Sequence, residues 1–382
     1  MKLTAKVKLL PTPEGRAYLL ETMRRFNAAC NYISDLAWNT RTFKQVPLHH
    51  LHYHTTKERF GLSAQMVVRA NARVVDAYGL DRRTKRSFRE LGAITYDDRV
   101  LSWKVHASTV SIWTTGGRQT IPFVCGAYQR KLLETRQGET DLALVRGEFY
   151  LFATVNLEEP DPAEVEGVLG VDLGIVNIAT DSDGEVYSGA HLNNVRHRYR
   201  RLRSKLQRKA TKGAKRLLKR LSGKERGFAN GVNHVVSRRI VEKAKRTNRA
   251  IALENLGGIR RVRVRRPQRS TLHTWAFRDL TQKLVYKARR AGVRVVFVDP
   301  RGSSRECPRC GHTEKANRPD QSTFQCRVCG FAGHADKVAA LNLSVRGWAA
   351  VNLPNVGEAN RALHGSVPTS PVQTPLGVGQ GS

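Results

Sequence analysis

The chain has 382 residues, 40% of them hydrophobic, with 66 Lys and Arg against 32 Asp and Glu for a formal charge of +34. At roughly 150 residues per domain that length predicts two or three domains. So large a positive excess repels itself without a polyanion. With no run of ~20 apolar residues and no lipidation motif to make that polyanion a membrane, the expected partner is nucleic acid.

The amino-terminal stretch "MKLTAKVKLLP" is basic and lacks the apolar core of about 7–15 residues that marks a signal peptide. The expected location is therefore a reducing compartment. The six cysteines are then metal ligands or core thiols rather than disulfides. Cys30 and Cys125 stand alone and read as small apolar core residues. "LTAKVKLL" alternates as a strand does, and Pro11 and Pro13 end it. Leu19, Met23, Phe26, Cys30, Ile33 and Ala37 then recur at helical spacing. Ser63 reads as the cap of a second helix with Val67, Ala70, Val74 and Tyr78 on one face.

From Ile94 to Leu157 the pattern is strands. "TVSIWTTGGRQTIPFV" predicts a hairpin at Gly116-Gly117, and "DLALVRGEFYLFATVNL" another near Arg146-Gly147. The first strand is expected to join this sheet, with the helical module inserted between. Pro160 and Pro162 mark a linker.

A third region opens with "VLGVDLGIVNIATDSDGEVYSG", read as two or three strands turned at Asp183-Gly184. Between Arg196 and Arg226, fifteen of 31 residues are Lys or Arg and only Glu225 is acidic. Leu202, Leu206, Leu217, Leu218 and Leu221 supply an apolar face. A charge run this dense is expected to track a phosphate backbone, through Arg196, Arg198, Arg200, Arg201, Arg203, Lys205, Arg208, Lys209, Lys212, Lys215 and Arg216. The basic loop "RRVRVRRPQR" adds Arg263, Arg265 and Arg266. A helix over 232–247, the strand "RAIALEN", the helix "WAFRDLTQKLVYKARRAG" and the strand "VRVVFVDP" follow. The Pro-, Gly- and Ser-rich tail from Pro354 is expected to be disordered.

Three acids stand out by position. Asp172 ends an apolar strand, Glu254 ends another, and Asp336 opens a helix. A carboxylate in an apolar strand costs several kcal/mol unless it is paired or binds a metal. Hard oxygen ligands at strand ends suit Mg²⁺ or Mn²⁺. Two such ions about 4 Å apart activate water and stabilise a leaving oxygen in phosphodiester cleavage. Each acid also has a plainer reading: a turn former before Gly174, an arginine partner, a helix N-cap. Their joint occurrence in a strand–strand–strand–helix–strand order predicts an RNase H-like nuclease. Asp183 fits a hairpin turn, and Asp299, before Pro300, a structural role. Cys307, Cys310, Cys326 and Cys329 have the spacing of a four-cysteine zinc ribbon. Four thiolates leave no open coordination position, so that zinc is structural; His312 and His334 are alternative ligands that four cysteines make unnecessary.

The ordered set of motifs resembles the TnpB family, transposon-encoded RNA-guided nucleases related to the type V CRISPR effectors. The likeness is carried by "KVKLLPTPEGRAYLLETMRRFNAACNYISDLAW", "GVDLGIVNIAT", "RLSGKERGFANGVNHVVSRRIVEKA", "IALENLGGI", "FRDLTQKLVYKARRAGVRVVFVDPRGSSRECPRCGH" and "HADKVAALNL". It runs to about Arg346, and His234 within it reads as positional or core-packing. The resemblance implies a multidomain α+β chain. A split β-barrel wedge (1–10 and 94–160) carries an inserted helical recognition lobe (11–93). An RNase H-like, RuvC-type α/β nuclease domain (167–302 and 332–352) carries the inserted zinc ribbon (303–331), and 353–382 is a tail. It further implies Asp172, Glu254 and Asp336 as the catalytic, Mg²⁺-binding triad and the four cysteines as zinc ligands. The implied partners are a guide RNA from the transposon end and a double-stranded DNA target beside a short recognition motif. The protein would be monomeric within its ribonucleoprotein. Two departures stand beside the last acid: the family's Asn two residues later is Val338 here, and its preceding Arg is Ala335. Loss of that polar neighbour is expected to weaken or retune cleavage. The competing readings are a cleavage-inactive guided DNA-binding repressor, a miniature type V CRISPR effector, and a strand-transfer enzyme, the last without a tyrosine or serine recombinase constellation.

Overall fold

The computed structural model describes residues 1–255 and 277–352. Two compact units divide the chain between Glu158 and Glu159. Among the described residues no helix is long and apolar enough to cross a membrane.

In the first unit, β1 (Lys2–Leu9) leads into α1 (Pro13–Thr40). The Thr12 hydroxyl accepts from Gly15 N at 3.1 Å. Pro13 occupies the first helical turn, where its missing N–H costs nothing. It therefore begins the helix as well as ending the strand. Helix α2 (Gln45–Phe60) buries only Leu48, His52 and Thr56. Two of those three are polar, so apolar periodicity did not reveal it. His52 is satisfied inside, through Thr56 Oγ1 at 3.1 Å and Asn71 Oδ1 at 3.0 Å. Helix α3 (Ala64–Leu80) starts at Ser63, whose hydroxyl accepts from Met66 N.

Six further strands follow: β2 (Ile94–Tyr96), β3 (Leu101–Lys104), β4 (Thr109–Thr114), β5 (Gly117–Val124), β6 (Arg136–Val145) and β7 (Glu148–Asn156), with α4 (Ala127–Leu133) before β6. They form one antiparallel sheet in the order β2-β6-β7-β1-β5-β4-β3. β1 is thus central, although three helices separate it in sequence from its neighbours. The β6–β7 hairpin takes Arg146 and Gly147 at φ 54° and 84°, as a two-residue turn of the left-handed type requires, whereas the β4–β5 hairpin turns at Thr115-Gly116 and places Gly117, at φ 87°, just after the turn.

The second unit is built on a five-stranded sheet ordered β10-β9-β8-β11-β12. Its strands are β8 (Gly167–Asp172), β9 (Asn177–Asp181), β10 (Val186–Ser188), β11 (Arg249–Glu254) and β12 (Val295–Val298). β8, β11 and β12 run parallel, while β9 pairs antiparallel with β8 and β10 antiparallel with β9, a meander. The basic stretch forms two helices, α5 (Ala190–Lys209) and α6 (Lys212–Arg246), parted by Ala210 at φ 51°. The expected helix over 232–247 is the continuation of α6. α7 (Phe277–Ala291) precedes β12, and α8 (Ala335–Asn352) closes the described chain.

Alternation sorts the sheet's two faces. Leu169, Val171, Ile251 and Leu253 point to one side, where Ile240, Val241 and Ala244 of α6 and Leu280 and Leu284 of α7 cover them. Val168, Ala250, Ala252 and Val296 point to the other, where α8 packs on β8, β11 and β12. That approach is close. A Cβ built on Gly170 would stand 1.9 Å from Ala340 O, and one on Gly347 2.5 Å from Ala252 Cβ. Gly170→Ala is expected to push α8 off the sheet. The cost is about 3 kcal/mol, the upper end for overpacking, because backbone blocks the way; it should appear as a lowered melting transition of this unit.

The β9–β10 turn is tied to α6 by charge. Lys243 Nζ lies 2.6, 3.0 and 3.3 Å from Asp181, Asp183 and Glu185, and Arg249 pairs with Asp183 at 2.6 Å. The Arg249 hydrogen bond, with Lys243 beside it, holds the Asp183 carboxyl well below its ordinary 3.8. The unfolded chain therefore takes up a proton here first as pH falls. Stability from this group is complete above about pH 5 and drains as pH drops through 4 toward the lower folded value. Melting temperatures between pH 6 and 3 should fall less steeply in Asp183→Asn than in the parent chain.

Candidate active site and metal centre

The register of the parallel strands sets two of the three acids side by side. Leu253 pairs with Val171, so the next residues, Glu254 and Asp172, end β11 and β8 together. Both fall on the even-numbered positions that face α8. Asp336 sits in the first turn of that helix, so the three carboxylates meet where α8 begins over the strand ends. Their proximity appears in their electrostatics. Burial, reinforced by Glu254 and Asp336, pushes the Asp172 carboxyl up to about 8, with Arg318 opposing. Burial also raises Glu254, against a hydrogen bond from Ser303 and the charge of Arg346. Like charges in a half-buried pocket resist joint ionisation unless a cation joins them.

Four residues not singled out in the sequence complete this pocket. Asn177 Nδ2 donates to Asp336 Oδ2 at 3.0 Å, and Ser303 Oγ to Glu254 Oε1 at 3.0 Å. Arg318 Nη2 stands 3.7 Å from Asp336 Oδ1. Asn342 Nδ2 donates to Ser303 O and Glu306 O, both at 2.7 Å, fastening the loop that holds Ser303. An Asn at a strand start is a weak oddity that sequence reading had available for Asn177. Arg318 lies in irregular chain and carried no signal.

Val338 corrects an expectation. It is 1% exposed and packs with Cys307, Phe324, Cys326 and Ala335 in the core of the cysteine module. Two residues along a helix is about 200° of rotation, so Val338 faces away from Asp336. It is a packing residue, not a lost polar neighbour of the acids.

The four cysteines converge. Their sulfurs all lie within 4.8 Å of one another, with Cys307 to Cys329 at 3.5 Å and Cys310 to Cys326 at 3.6 Å. A disulfide needs about 2.05 Å, whereas tetrahedral zinc at about 2.3 Å from each sulfur needs edges near 3.8 Å. The set therefore fits a closed tetrahedral ion. The Cys329 amide donates to Cys326 Sγ at 3.5 Å, and that bond helps draw the Cys326 thiol down to about 6, toward the thiolate a metal takes. His312 instead faces Glu314 at 3.2 Å. Among the described residues only these thiols form so tight a set; the three carboxylates are spaced more widely. β14 (Ala332–His334), paired with β13 (Thr323–Gln325), runs directly into α8, so the module's last strand is continuous with the helix bearing Asp336.

Most of the predicted phosphate contacts are open to solvent. Arg198, Arg200, Arg201, Lys205, Arg208, Lys209, Lys212, Lys215 and Arg216 are exposed. Arg203 is different: it pairs with Glu225 at 2.5 Å, stapling α5 to α6. Arg196 is half-buried, its pKa lowered by that burial and raised by Glu225. Glu225, the one acid of the stretch, is therefore a helix-pairing residue, and the two arginines that turn toward it serve the hairpin. Arg263, Arg265 and Arg266 lie outside the described residues.

Comparisons with known proteins agree with this organisation. Residues 152–258 match a family model described as "Probable transposase", and 277–343 match the Cas12f1-like TNB domain. The chain is 33% identical over 199 residues to the CRISPR-associated endodeoxyribonuclease Cas12f1 of Sulfoacidibacillus thermotolerans, covering 48% of this chain and 46% of that one. It thus spans less than half of that relative. It is 26% identical over 238 residues to the TnpB-like protein of Methanocaldococcus jannaschii, covering 59% and 85%. In fold it is similar to Cas12f1 from a complex with sgRNA and target DNA, at TM-score 0.59 and 14% identity over 85% of this chain and 82% of that one. It is also similar to the mini-RNA-guided endonuclease CRISPR-Cas_phi3, at TM-score 0.56 and 11% identity over 90% and 92%. The resemblance to the TnpB family read from the sequence is thereby shown, by two family models in chain order, by a TnpB-like relative and by a fold shared with Cas12f1.

Proposed function

We propose that the chain is an RNA-guided DNA endonuclease of the TnpB type, with the first unit a wedge-like sheet carrying a helical lobe and the second a RuvC-like nuclease domain. The observation that carries this reading is the meeting of Asp172, Glu254 and Asp336, from three separate elements, at the ends of parallel strands. Three half-buried carboxylates offer only hard oxygen donors, which suits Mg²⁺ or Mn²⁺. When bound, such ions supply an activated water and charge stabilisation at the departing oxygen. The protein's own part is positional. Asn177 holds the Asp336 carboxylate, Ser303 holds that of Glu254, and Arg318 brings a positive charge to the pocket's rim. Exposed cations of α5 and the start of α6 grip phosphates without reading sequence, leaving that to base pairing.

The chain's bias of +34 and its likeness to RNA-guided endonucleases support guide RNA and target DNA as partners. The four cysteines hold zinc as a structural ion. Purification with co-expressed flanking RNA, followed by incubation with Mg²⁺ and a plasmid library carrying randomised sequence beside the target, tests the whole reading. Linear product that requires the RNA is expected. RNA and target binding without any cut product would leave a guided DNA-binding protein instead.

A further inference from the structure

Strand β7 carries two half-buried aromatic rings that lie outside the core of the first unit. Phe149, Leu151, Ala153 and Val155 fill the core of the first unit, but Tyr150 and Phe152 do not pack against it. Two residues apart on one strand, they leave the sheet on the same face. β1 brings positive charge and hydroxyl to that face: the register sets Lys6 opposite Phe152, Lys8 opposite Tyr150 and Thr4 opposite Thr154. Lys6 Nζ lies 4.0 Å from the Tyr150 ring centroid and 5.6 Å from that of Phe152. Lys8 pairs with Glu148 at 3.2 Å. Lys2 and Lys6 are exposed and have no carboxylate partner among the described residues. The one acid of the neighbouring strand on this side, Asp141, accepts from Thr95 Oγ1 at 2.6 Å. Ala143, opposite Tyr150, keeps the surface beside the ring low.

We propose that this sheet face binds a single-stranded segment of RNA, with successive bases stacked on Tyr150 and Phe152. Rings two strand positions apart are separated by about 6.8 Å, twice the ~3.4 Å spacing of stacked bases. Each ring therefore takes one base of an opened strand and neither fits a duplex, whose bases are already stacked. Lys2 and Lys6 answer the phosphates on either side. The paired hydroxyls of Thr4 and Thr154 favour a sugar that carries its own 2′-hydroxyl, the group by which proteins tell RNA from DNA. The inference rests on the reading of the chain as RNA-binding but not on its cutting DNA.

The test uses the full-length chain stripped of co-purifying nucleic acid and a 4-thiouridine-labelled single-stranded RNA 12-mer. Crosslinks are mapped to peptides, and affinity is measured by anisotropy at fixed salt against the same sequence as single-stranded DNA and as blunt RNA duplex. Crosslinks on the peptide bearing Tyr150 and Phe152 are expected. Tyr150→Ala with Phe152→Ala should weaken single-stranded RNA binding about tenfold or more and leave duplex binding unchanged, at an unchanged melting temperature because the rings lie outside the core. The swap Tyr150→Phe with Phe152→Tyr should retain affinity, and Lys6→Glu, which keeps both rings but removes the cation over them, should lose it. Undiminished single-stranded RNA binding by the double alanine variant overturns the proposal. So does an equal loss on duplex, or tighter binding of the DNA strand. RNA held at β7 by a chain that never cuts DNA would keep this site and remove the nuclease reading. Guided cutting with unaltered RNA affinity in the double alanine variant would do the reverse.

Discussion

Asp172→Ala is expected to abolish guided cleavage while leaving RNA and target binding intact. Metal-borne charge stabilisation is worth several kcal/mol of barrier, so the loss should be on the order of 10³-fold or more. The same change should not destabilise the fold. Asp172 is held up to about 8 by burial and by Glu254 and Asp336, so removing it relieves repulsion. The expected pair of results is an unchanged or raised melting temperature with no cut product. A structural carboxylate would give the opposite pair, a lowered melting temperature with cutting preserved. Cleavage within about tenfold of the parent would refute the assignment of Asp172.

The second large effect concerns the cysteine module. Cys307→Ser with Cys310→Ser should reduce bound zinc from one ion per chain to almost none. Structural zinc contributes about 10–16 kcal/mol of folding free energy to small modules, and among the described residues this one has only Phe324, Phe331, Val338 and Ala335 to pack around its thiols. Without metal it should open to trypsin between Arg305 and Arg327. The damage should reach the acid pocket by two routes. Arg318, which stands beside Asp336, belongs to the module, and Ala335 N donates to Ser322 O at 2.8 Å where strand becomes helix. Cutting should fall with zinc content while binding of guide RNA persists. Full cutting by a zinc-free variant would break the link between the two centres.

Much of this was legible from residues in order. Apolar strands ending in Asp172 and Glu254 announced carboxylates at strand ends, and the pairs of Cys-x-x-Cys announced a metal knot, because each signal lies within a few residues. The missed parts were those whose signal is spread out. α2 hides because its buried face is made of Leu48, His52 and Thr56. Asn177 and Ser303 are ordinary until folding sets them against Asp336 and Glu254. Val338 was read by its place in a motif, and its helix face contradicted that reading.

The sequence by itself determined the strong positive charge, the four-thiol set and the candidate acids, since charge, ligand type and short spacing are local properties. Tertiary structure alone decided what those residues do to one another. Strand register put Glu254 next to Asp172, and Gly170 let α8 come close enough to carry Asp336 over both. Helix pairing turned Arg203 inward to Glu225, while its neighbours in the same basic run remained in solvent. Such outcomes depend on which face of an element is buried, and the partner that buries it lies far away along the chain.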